Sequence, residues 1–306
     1  MTHHAMTSLP ENDSLAALAR AIDLHTQEAE DVLTSIPGLS LHRRIKIDED
    51  DTHCLYSFGL SVLAQGSKQM LRGDRILDYD AGYSMLTTID FPASYHVTKA
   101  SFAEPLLGIM LTFDASTILQ VATELGFPPV QHEPSHHPYS LEKLDPPLTE
   151  ALTRLILALD EPLLQGKLAP LIQHEIILRL LTGPHRLHLQ QLVATASHTN
   201  QIGKAITWLK QNFKQNVHVN DLAASFHMSP SMFRLHFKEL TGVSPLQFQK
   251  QLRLQEARQL MLNQAMEVGQ AAGVVGYESF SQFTREYSRL FGTPPQRDIR
   301  QIRQNG

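Results

Sequence analysis

Short apolar runs alternate with turn residues through the first part of the chain after its N-terminal segment. Between about residues 36 and 112 these runs are LSLHRRIKI, CLYSFGLSVLAQ, KQMLRGDRILDY and YSMLTTIDF, and each has the length of one or two β-strands. Gly66-Ser67 and Gly73-Asp74 stand where hairpins would turn, since glycine supplies the positive φ that such turns need. The pattern predicts an all-β barrel or sandwich with hairpins at these two positions.

Helical spacing flanks the predicted barrel. SLAALARAIDLHTQ precedes it, with Ser14 as a candidate N-cap, and ASTILQVATELG follows it. The next stretch, FPPVQHEPSHHPYSLEKLDPP, holds six prolines and predicts an extended connection without regular structure. LTEALTRLILALDEP and LAPLIQHEIILRLLTG then form a predicted helical hairpin. Its dense apolar residues fit either a contact with a second subunit or packing within one subunit.

The last third of the chain contains an internal repeat. DLAASFHMSPSMFRLHFKELTGVSP and AAGVVGYESFSQFTREYSRLFGTPP align at a constant offset of 50 residues. The offset matches Ser229 with Ser279, Ser231 with Ser281, Phe233 with Phe283, Phe237 with Tyr287, Leu240 with Leu290, Gly242 with Gly292 and Pro245 with Pro295. Each copy contains a short helix, a turn, a capping serine, a second helix with two inward aromatic residues, and a terminating glycine. This order predicts two helix-turn-helix units.

The second helix of each unit presents small, polar or basic residues opposite its aromatic face, as a DNA-reading helix does. The candidate DNA-contacting residues are Ser231, Arg234, Leu235 and Lys238 in the first unit and Ser281, Gln282, Thr284 and Arg285 in the second. Arg285 is the strongest candidate for a bidentate contact with guanine, and Lys238 suits a phosphate. After Pro245 a helix of about 20 residues and about 30 Å would hold the two units for successive major grooves. The alternative is a helical bundle whose basic residues only face solvent.

Charge is divided unevenly along the chain. From Ser197 to the end there are 13 Lys and Arg against 7 Asp and Glu, while the rest holds 13 basic and 24 acidic residues. A basic C-terminal part on an otherwise acidic protein is what we expect if that part alone binds DNA phosphates. Chance clustering of charges would give the same pattern. Hydrophobic residues make up 42% and charged residues 19%, as in folded globular proteins. We expect a cytoplasmic protein, because the sequence has a single cysteine, shows no signal-peptide pattern and has no apolar run of transmembrane length.

The repeat region resembles the AraC family of bacterial transcription regulators. The likeness lies in LAASFHMSPSMFRLHFKELTGVSPLQF, QLRLQEARQLML and VGYESFSQFTREYSRLFGTPP, and pieces such as SVLAQGSKQMLRGDR resemble the family's cupin-like N-terminal domain more loosely. The resemblance implies double-stranded DNA as partner, a homodimer and an effector-sensing N-terminal domain, with RNA polymerase as a further candidate partner. It places base contacts at Ser231, Arg234 and Leu235, and at Ser281, Thr284 and Arg285. Leu235 departs from the usual pattern because it offers only an apolar contact.

The barrel is the predicted site of any small-molecule effector. Candidate lining residues are Tyr56, Phe58, Tyr83, Met85 and Tyr95, each of which could equally be a core residue. Cys54 is either a sensor thiol or an inert core residue. A cupin-type enzyme would need a His-x-His metal pattern; the chain has none, and His42, His53 and His96 are isolated. We therefore predict no catalytic residue, no metal and no cofactor.

These observations define an α+β protein in two parts. Residues 1–184 form a cupin-like β-barrel with flanking helices and the helical hairpin, 185–200 form a linker, and 201–306 form an all-α domain of two helix-turn-helix units joined by a long helix. The predicted function is sequence-specific DNA-binding transcription regulation under control of an effector. The alternatives are a constitutive dimeric DNA-binding regulator and a cupin-type enzyme.

Overall fold

The computed structural model describes residues 11–47, 51–72, 75–127, 137–193 and 198–305. The strands within these ranges are β1 (Asp31–Leu33), β2 (Leu39–Arg44), β3 (Thr52–Tyr56), β4 (Gly59–Gln65), β5 (Ser67–Arg72), β6 (Arg75–Asp80), β7 (Tyr83–Thr87), β8 (Phe91–Lys99), β9 (Leu106–Thr112) and β10 (Tyr139–Lys143). The N-terminal helices are α1 (Glu11–His25), α2 (Ala115–Glu124), α3 (Pro146–Leu157), a 3₁₀ turn (Ala158–Asp160) and α4 (Pro162–Thr182). The remaining helices are α5 (Arg186–Val193), α6 (His198–Asn212), α7 (Val219–Ser225), α8 (Pro230–Thr241), α9 (Pro245–Asn263), α10 (Val268–Val274), α11 (Phe280–Phe291) and α12 (Pro295–Asn305).

The strands form two antiparallel sheets. The larger has the order β1-β2-β9-β4-β7-β10, and the smaller has the order β3-β8-β5-β6. Alternation along the strands of the larger sheet creates two cores, because successive side chains point to opposite faces. Leu41, Leu60 and Ile109 pack against α1, α3 and α4, whereas Leu63 packs with Met70 and other residues of the smaller sheet. The predicted α+β fold with a helix-flanked barrel is confirmed.

Three local predictions about the barrel domain were wrong. Gly66 has φ +82 but joins β4 to β5 in different sheets, so it marks a crossing between sheets rather than a hairpin. The proline-rich segment contains β10, because its stretch from Tyr139 to Lys143 lacks proline and keeps the N–H groups that pair with β7. Ser14 lies inside α1, which begins earlier. The β5–β6 hairpin is present, with Arg72 opposite Arg75, and its turn at 73–74 lies outside the described residues.

The C-terminal helices form the two predicted helix-turn-helix units, α7–α8 and α10–α11. Ser229 and Ser279 cap the second helices by accepting hydrogen bonds from Met232 N at 3.4 Å and Gln282 N at 3.3 Å. The glycines that follow both helices, Gly242 and Gly292, are left-handed, with φ +83 and +73, as a helix-ending glycine commonly is. Each unit has its own core of buried aromatic residues, namely Phe233, Phe237 and Phe248 in the first and Phe283 and Tyr287 in the second.

The segment predicted as a linker is partly helical. α5 covers residues 186–193. Two buried histidines, His188 in α5 and His185 just before it, contact the barrel. His185 Nε2 lies 2.9 Å from Ser84 Oγ and its Nδ1 lies 2.6 Å from Ser140 Oγ. His188 Nε2 lies 3.1 Å from Thr88 Oγ1. Leu189 of α5 is also fully buried in the helix-side core, so this segment is held by two histidines and one leucine rather than by a continuous apolar stripe.

No helix in the described part of the chain is both long and apolar enough to cross a membrane.

Candidate nucleic-acid interface and barrel cavity

The first predicted recognition helix, α8, presents its candidate residues to solvent. Ser231, Arg234, Leu235 and Lys238 are all exposed, on the side of the helix away from the buried Phe233. Arg234 donates a hydrogen bond from Nη2 to Asn220 Oδ1 in α7 at 2.8 Å, which orients its guanidinium along the unit. Leu235, half exposed at 50%, is the apolar member of this face. The face is free to enter a groove without disturbing the core behind it.

The second recognition helix, α11, repeats this arrangement. Ser281 and Arg285 are exposed, while Gln282 and Thr284 are half-buried. Thr284 donates its hydroxyl hydrogen to Phe280 O at 3.0 Å, and Gln282 donates to Glu286 Oε1 at 3.2 Å. Arg285 makes no hydrogen bond or ion pair with any residue that the structure describes. Its guanidinium is therefore available for an external acceptor.

The long helix α9 fixes the two units relative to each other. It has 19 residues and starts with a capping box between Ser244 and Gln247. Arg253, in its middle, donates to Phe213 O at 2.7 Å and Lys214 O at 3.1 Å on the first unit's side, and to Gly276 O at 2.9 Å in the turn of the second unit. One guanidinium thus connects both units, since its five donors can serve several carbonyls at once.

Polar contacts join the barrel to the first helix-turn-helix unit and to α6, which packs against that unit. Arg72 Nη2, at the end of β5, donates to the carbonyl oxygens of Glu239 at 2.7 Å and Leu240 at 2.8 Å in the last turn of α8. A cation is favourable there because the helix C-terminus carries partial negative charge. Asp90, buried before β8, pairs with Lys210 of α6. Sequence patterns did not reveal Arg72 or Asp90, because each contacts a residue more than a hundred positions away.

Strand β3 contacts both the barrel interior and the DNA-binding module. Cys54 and Tyr56 belong to the core between the sheets. Leu55 packs against the core of the first helix-turn-helix unit, and the His53 ring meets the Phe291 ring of α11 edge-on at 6.5 Å. The strand is therefore a direct physical link between the inside of the barrel and both units.

A cavity of about 390 Å³ lies inside the barrel, between the two sheets and behind β3. Its walls include the apolar residues Leu55, Val62, Leu63, Leu106, Ile109 and Met110 and the polar residues Arg44, Cys54, Tyr56, Lys68 and Tyr95. Two of the predicted lining residues, Tyr56 and Tyr95, are among them. The other three lie elsewhere. Met85 is fully buried between the sheets with Tyr83 beside it, and Phe58 packs with Phe113 toward the helices. Lys68 and Arg44 were missed, because a lysine or arginine in a strand usually faces solvent.

Arg44 already has a counter-charge in the cavity. Its Nη2 lies 2.9 Å from both carboxylate oxygens of Asp31. Burial alone would raise the pKa of Asp31, but the hydrogen bond from His42 and the charge of Arg44 lower it to about 2. Burial raises the pKa of the Cys54 thiol to about 12, although the nearby Lys68 opposes this rise. The thiol is accordingly protonated at neutral pH, which disfavours the nucleophilic chemistry of a sensor cysteine.

Groups of three or more histidine, cysteine or carboxylate side chains arranged to hold a metal do not occur among the described residues. Two further histidines, His132 and His136 of the proline-rich segment, lie outside the described residues.

The barrel, the two exposed recognition helices and the rigid connector define a two-domain DNA-binding regulator. The family described as AraC-type transcriptional regulator N-terminus matches residues 35–187, and a helix-turn-helix domain family matches residues 222–301. The chain belongs to the AraC family of transcriptional regulators.

Known proteins similar to this chain are regulators of the same kind. The thermoregulatory protein LcrF of Yersinia pestis is 24% identical over 253 residues, covering 81% of this chain and 91% of LcrF. The transcriptional activator RhaS of Escherichia coli is 30% identical over 129 residues, covering 42% of this chain and 45% of RhaS. ToxT of Vibrio cholerae shares the fold, with a TM-score of 0.58 at 11% identity over 85% of this chain and 96% of ToxT. A second ToxT structure, bound to (E)-4-(8-methylnaphthalen-1-yl)but-3-enoic acid, has a TM-score of 0.62 at 12% identity over 85% and 97%.

Proposed function

We propose that this regulator binds a two-part DNA site through α8 and α11, and that a small molecule in the barrel cavity controls the binding. The observation that supports this proposal most directly is that α8 and α11 present matching exposed faces and are joined by one long helix, α9. Bases would be contacted by Ser231, Arg234 and Leu235 in one groove and by Ser281, Gln282, Thr284 and Arg285 in the next, with Lys238 on a phosphate. We assign effector sensing to residues 1–184 and DNA binding to residues 201–306, with residues 185–200 as the linker between them. We place the protein in the cytoplasm, where RNA polymerase is a candidate partner.

The first test is selection of bound DNA from a random pool by the full-length protein at known salt concentration. We expect a motif of two parts separated by about one helical turn, roughly 34 Å. Enrichment by residues 197–306 alone would mean that the barrel restrains DNA binding, whereas failure of both the full-length protein and residues 197–306 to enrich any sequence would contradict the proposal.

Arg285→Ala and Lys238→Ala separate base reading from phosphate contact. Arg285→Ala should weaken the selected site by about 1–3 kcal/mol and relax one base position, whereas Lys238→Ala should weaken all sequences alike. Lys143→Ala, an exposed barrel residue, is the control. Equal losses on selected and random DNA for Arg285→Ala would refute its base-reading role.

Effector control is supported by β3, which lines the cavity and touches both helix-turn-helix units. The acid bound in the ToxT structure gives an example of a small-molecule ligand on this fold. A ligand of the cavity should shift DNA affinity, and DNA should shift ligand affinity by the same factor. Ligand binding with unchanged operator affinity would instead favour the constitutive alternative.

We further propose that α4 forms the dimer interface. Leu163, Leu164 and Leu171 are 96%, 52% and 68% exposed on this helix, while Ile172, Ile176, Ile177, Leu180 and Leu181 pack inside the subunit. A second copy of the chain would bury the exposed leucines, which otherwise cost free energy in water. Sedimentation velocity should show a dimer for the native chain and a monomer for Leu164→Glu combined with Leu171→Glu. A dimeric double variant would place the interface elsewhere.

A further inference from the structure

Lys68 is a cation inside the barrel with no counter-charge among the described residues. Its Nζ lies 5.6, 5.3 and 5.0 Å from the ring centroids of Tyr56, Tyr79 and Tyr95, and it lines the cavity. Among the described residues, no side chain accepts a hydrogen bond from Nζ or forms an ion pair with it. Aromatic faces attract a cation, but they do not accept its hydrogen bonds as a carboxylate oxygen does.

A second donor beside Lys68 is also unused. The Tyr56 hydroxyl is buried and has no hydrogen-bond partner in the part of the chain that the structure describes. Its ring is held by stacking on Phe91, with centroids 5.4 Å apart and planes 4° apart. The neighbouring Tyr79 hydroxyl, in contrast, donates to Ser61 O at 2.6 Å. A buried hydroxyl is normally hydrogen-bonded in a folded protein, so the unused Tyr56 donor next to the Lys68 ammonium indicates a place for an acceptor.

The charge of the cavity decides which acceptor fits. Arg44 is neutralised by Asp31, which leaves Lys68 as the one unbalanced charge among the described cavity residues. Burial lowers the pKa of Lys68 to about 8, so the amine is still mostly protonated at neutral pH. A phosphate ester carries about two negative charges and three acceptor oxygens, more than one ammonium and one hydroxyl can satisfy. A neutral ligand would leave the ammonium unbalanced.

We infer that the effector is a small organic monoanion, a carboxylic acid with an apolar body, whose carboxylate binds Lys68 Nζ and the Tyr56 hydroxyl. This inference rests on the proposed effector control and names its ligand class. The apolar body lies against Leu63, Leu106 and Met110, which line the cavity. A cavity of about 390 Å³ falls within the usual range for small-molecule sites.

Isothermal titration of the full-length protein with matched pairs of probes tests the inference. The acids are decanoate, 4-phenylbutanoate and 2-naphthoate, and each is compared with its own primary alcohol. We expect at least one acid to bind more tightly than its alcohol by about 10-fold or more, because the hydrogen bonds to a charged group are lost in the alcohol. Equal affinity within all three pairs, or no binding by any acid, would overturn the inference.

Variants then test the two anchors. Lys68→Met keeps the length and apolar stem of the side chain and should weaken the acid by about 10- to 100-fold without changing the alcohol. Tyr56→Phe should weaken the acid by about 10-fold, and Lys143→Met, on the barrel surface, is the control. Thermal melting verifies that each variant folds. Unchanged acid affinity in folded Lys68→Met would refute the anchor.

The DNA-binding proposal, the ligand class and effector control can be rejected separately. If the random-pool selection yields an operator but no acid binds, the ligand class is wrong and the DNA-binding proposal stands. If an acid binds through Lys68 but saturating acid leaves operator affinity unchanged, the anion site stands and effector control is wrong.

Discussion

Mild acid should loosen the attachment of α5 to the barrel, because two buried histidines must gain protons that they exclude when folded. Burial, with a smaller contribution from a neighbouring histidine, lowers the pKa of His185 and of His188 from 6.5 to about 4; the neighbour is His188 for His185 and His137 for His188. The Pro138 carbonyl partly opposes the shift at His188. The other groups facing them are the hydroxyls of Ser84, Ser140 and Thr88 and the Pro138 carbonyl, none of which is an anion.

The sign follows from proton uptake. Between pH 4 and 6.5 the unfolded chain binds more protons at these histidines than the folded chain does, so stability is fully present above about pH 6.5 and falls as the pH is lowered toward 4. At about pH 5 the loss amounts to about 2 kcal/mol for each histidine, or about 4 kcal/mol for the pair.

The assay is urea unfolding at about pH 7 and about pH 5, followed by far-ultraviolet circular dichroism. The native chain is compared with His185→Gln combined with His188→Gln, which keeps hydrogen-bonding groups but cannot titrate in this range. When the pH is lowered from about 7 to about 5, the native chain should lose about 4 kcal/mol more unfolding free energy than the double variant does. All other titrating groups cancel in this comparison. An unchanged difference would refute the reasoning.

Three further predictions concern the connection between the parts. Gly276→Ala should lower the unfolding free energy by about 2 kcal/mol or more, seen as a lower urea midpoint, because Gly276 has φ +91 and an added Cβ would lie 2.5 Å from Lys214 O. Arg72→Met removes two hydrogen bonds to the end of α8 and should speed amide hydrogen exchange in that last turn while leaving α12 unchanged. Ser244→Ala removes the capping box and should cost about 1 kcal/mol, measured by thermal melting; an unchanged melting temperature would contradict the cap's contribution.

The DNA-binding half could be predicted closely from the sequence, because its signals are local. Capping serines, left-handed glycines and the spacing of Phe233 and Phe237 each act within a few residues, and the repeat presented them twice. The exposed faces of α8 and α11 follow directly from where the aromatic residues are buried. A connector after Pro245 was equally visible as a run without helix breakers.

The barrel interior was less predictable, because the role of a strand residue depends on which layer covers its face. Met85 and Tyr56 follow the same apolar pattern, yet one is enclosed between the sheets and the other lines the cavity. Gly66 shows a similar ambiguity, since a positive φ serves a hairpin and a crossing between sheets equally well. Lys68 carries no sequence signal of burial at all. Its significance arises from three tyrosines brought beside it by the pairing of distant strands.

Strand β3 has an evolutionary consequence. Cys54 and Tyr56 face the barrel interior while His53 and Leu55 meet the DNA-binding module, so adjacent positions of one strand can be changed separately. Under the proposed effector control, substitutions at the inward positions would alter which molecule is bound without changing the contact with the DNA-binding module. A lineage carrying this strand could acquire new chemical signals while keeping its operators, and gene duplicates could diverge in input before they diverge in output.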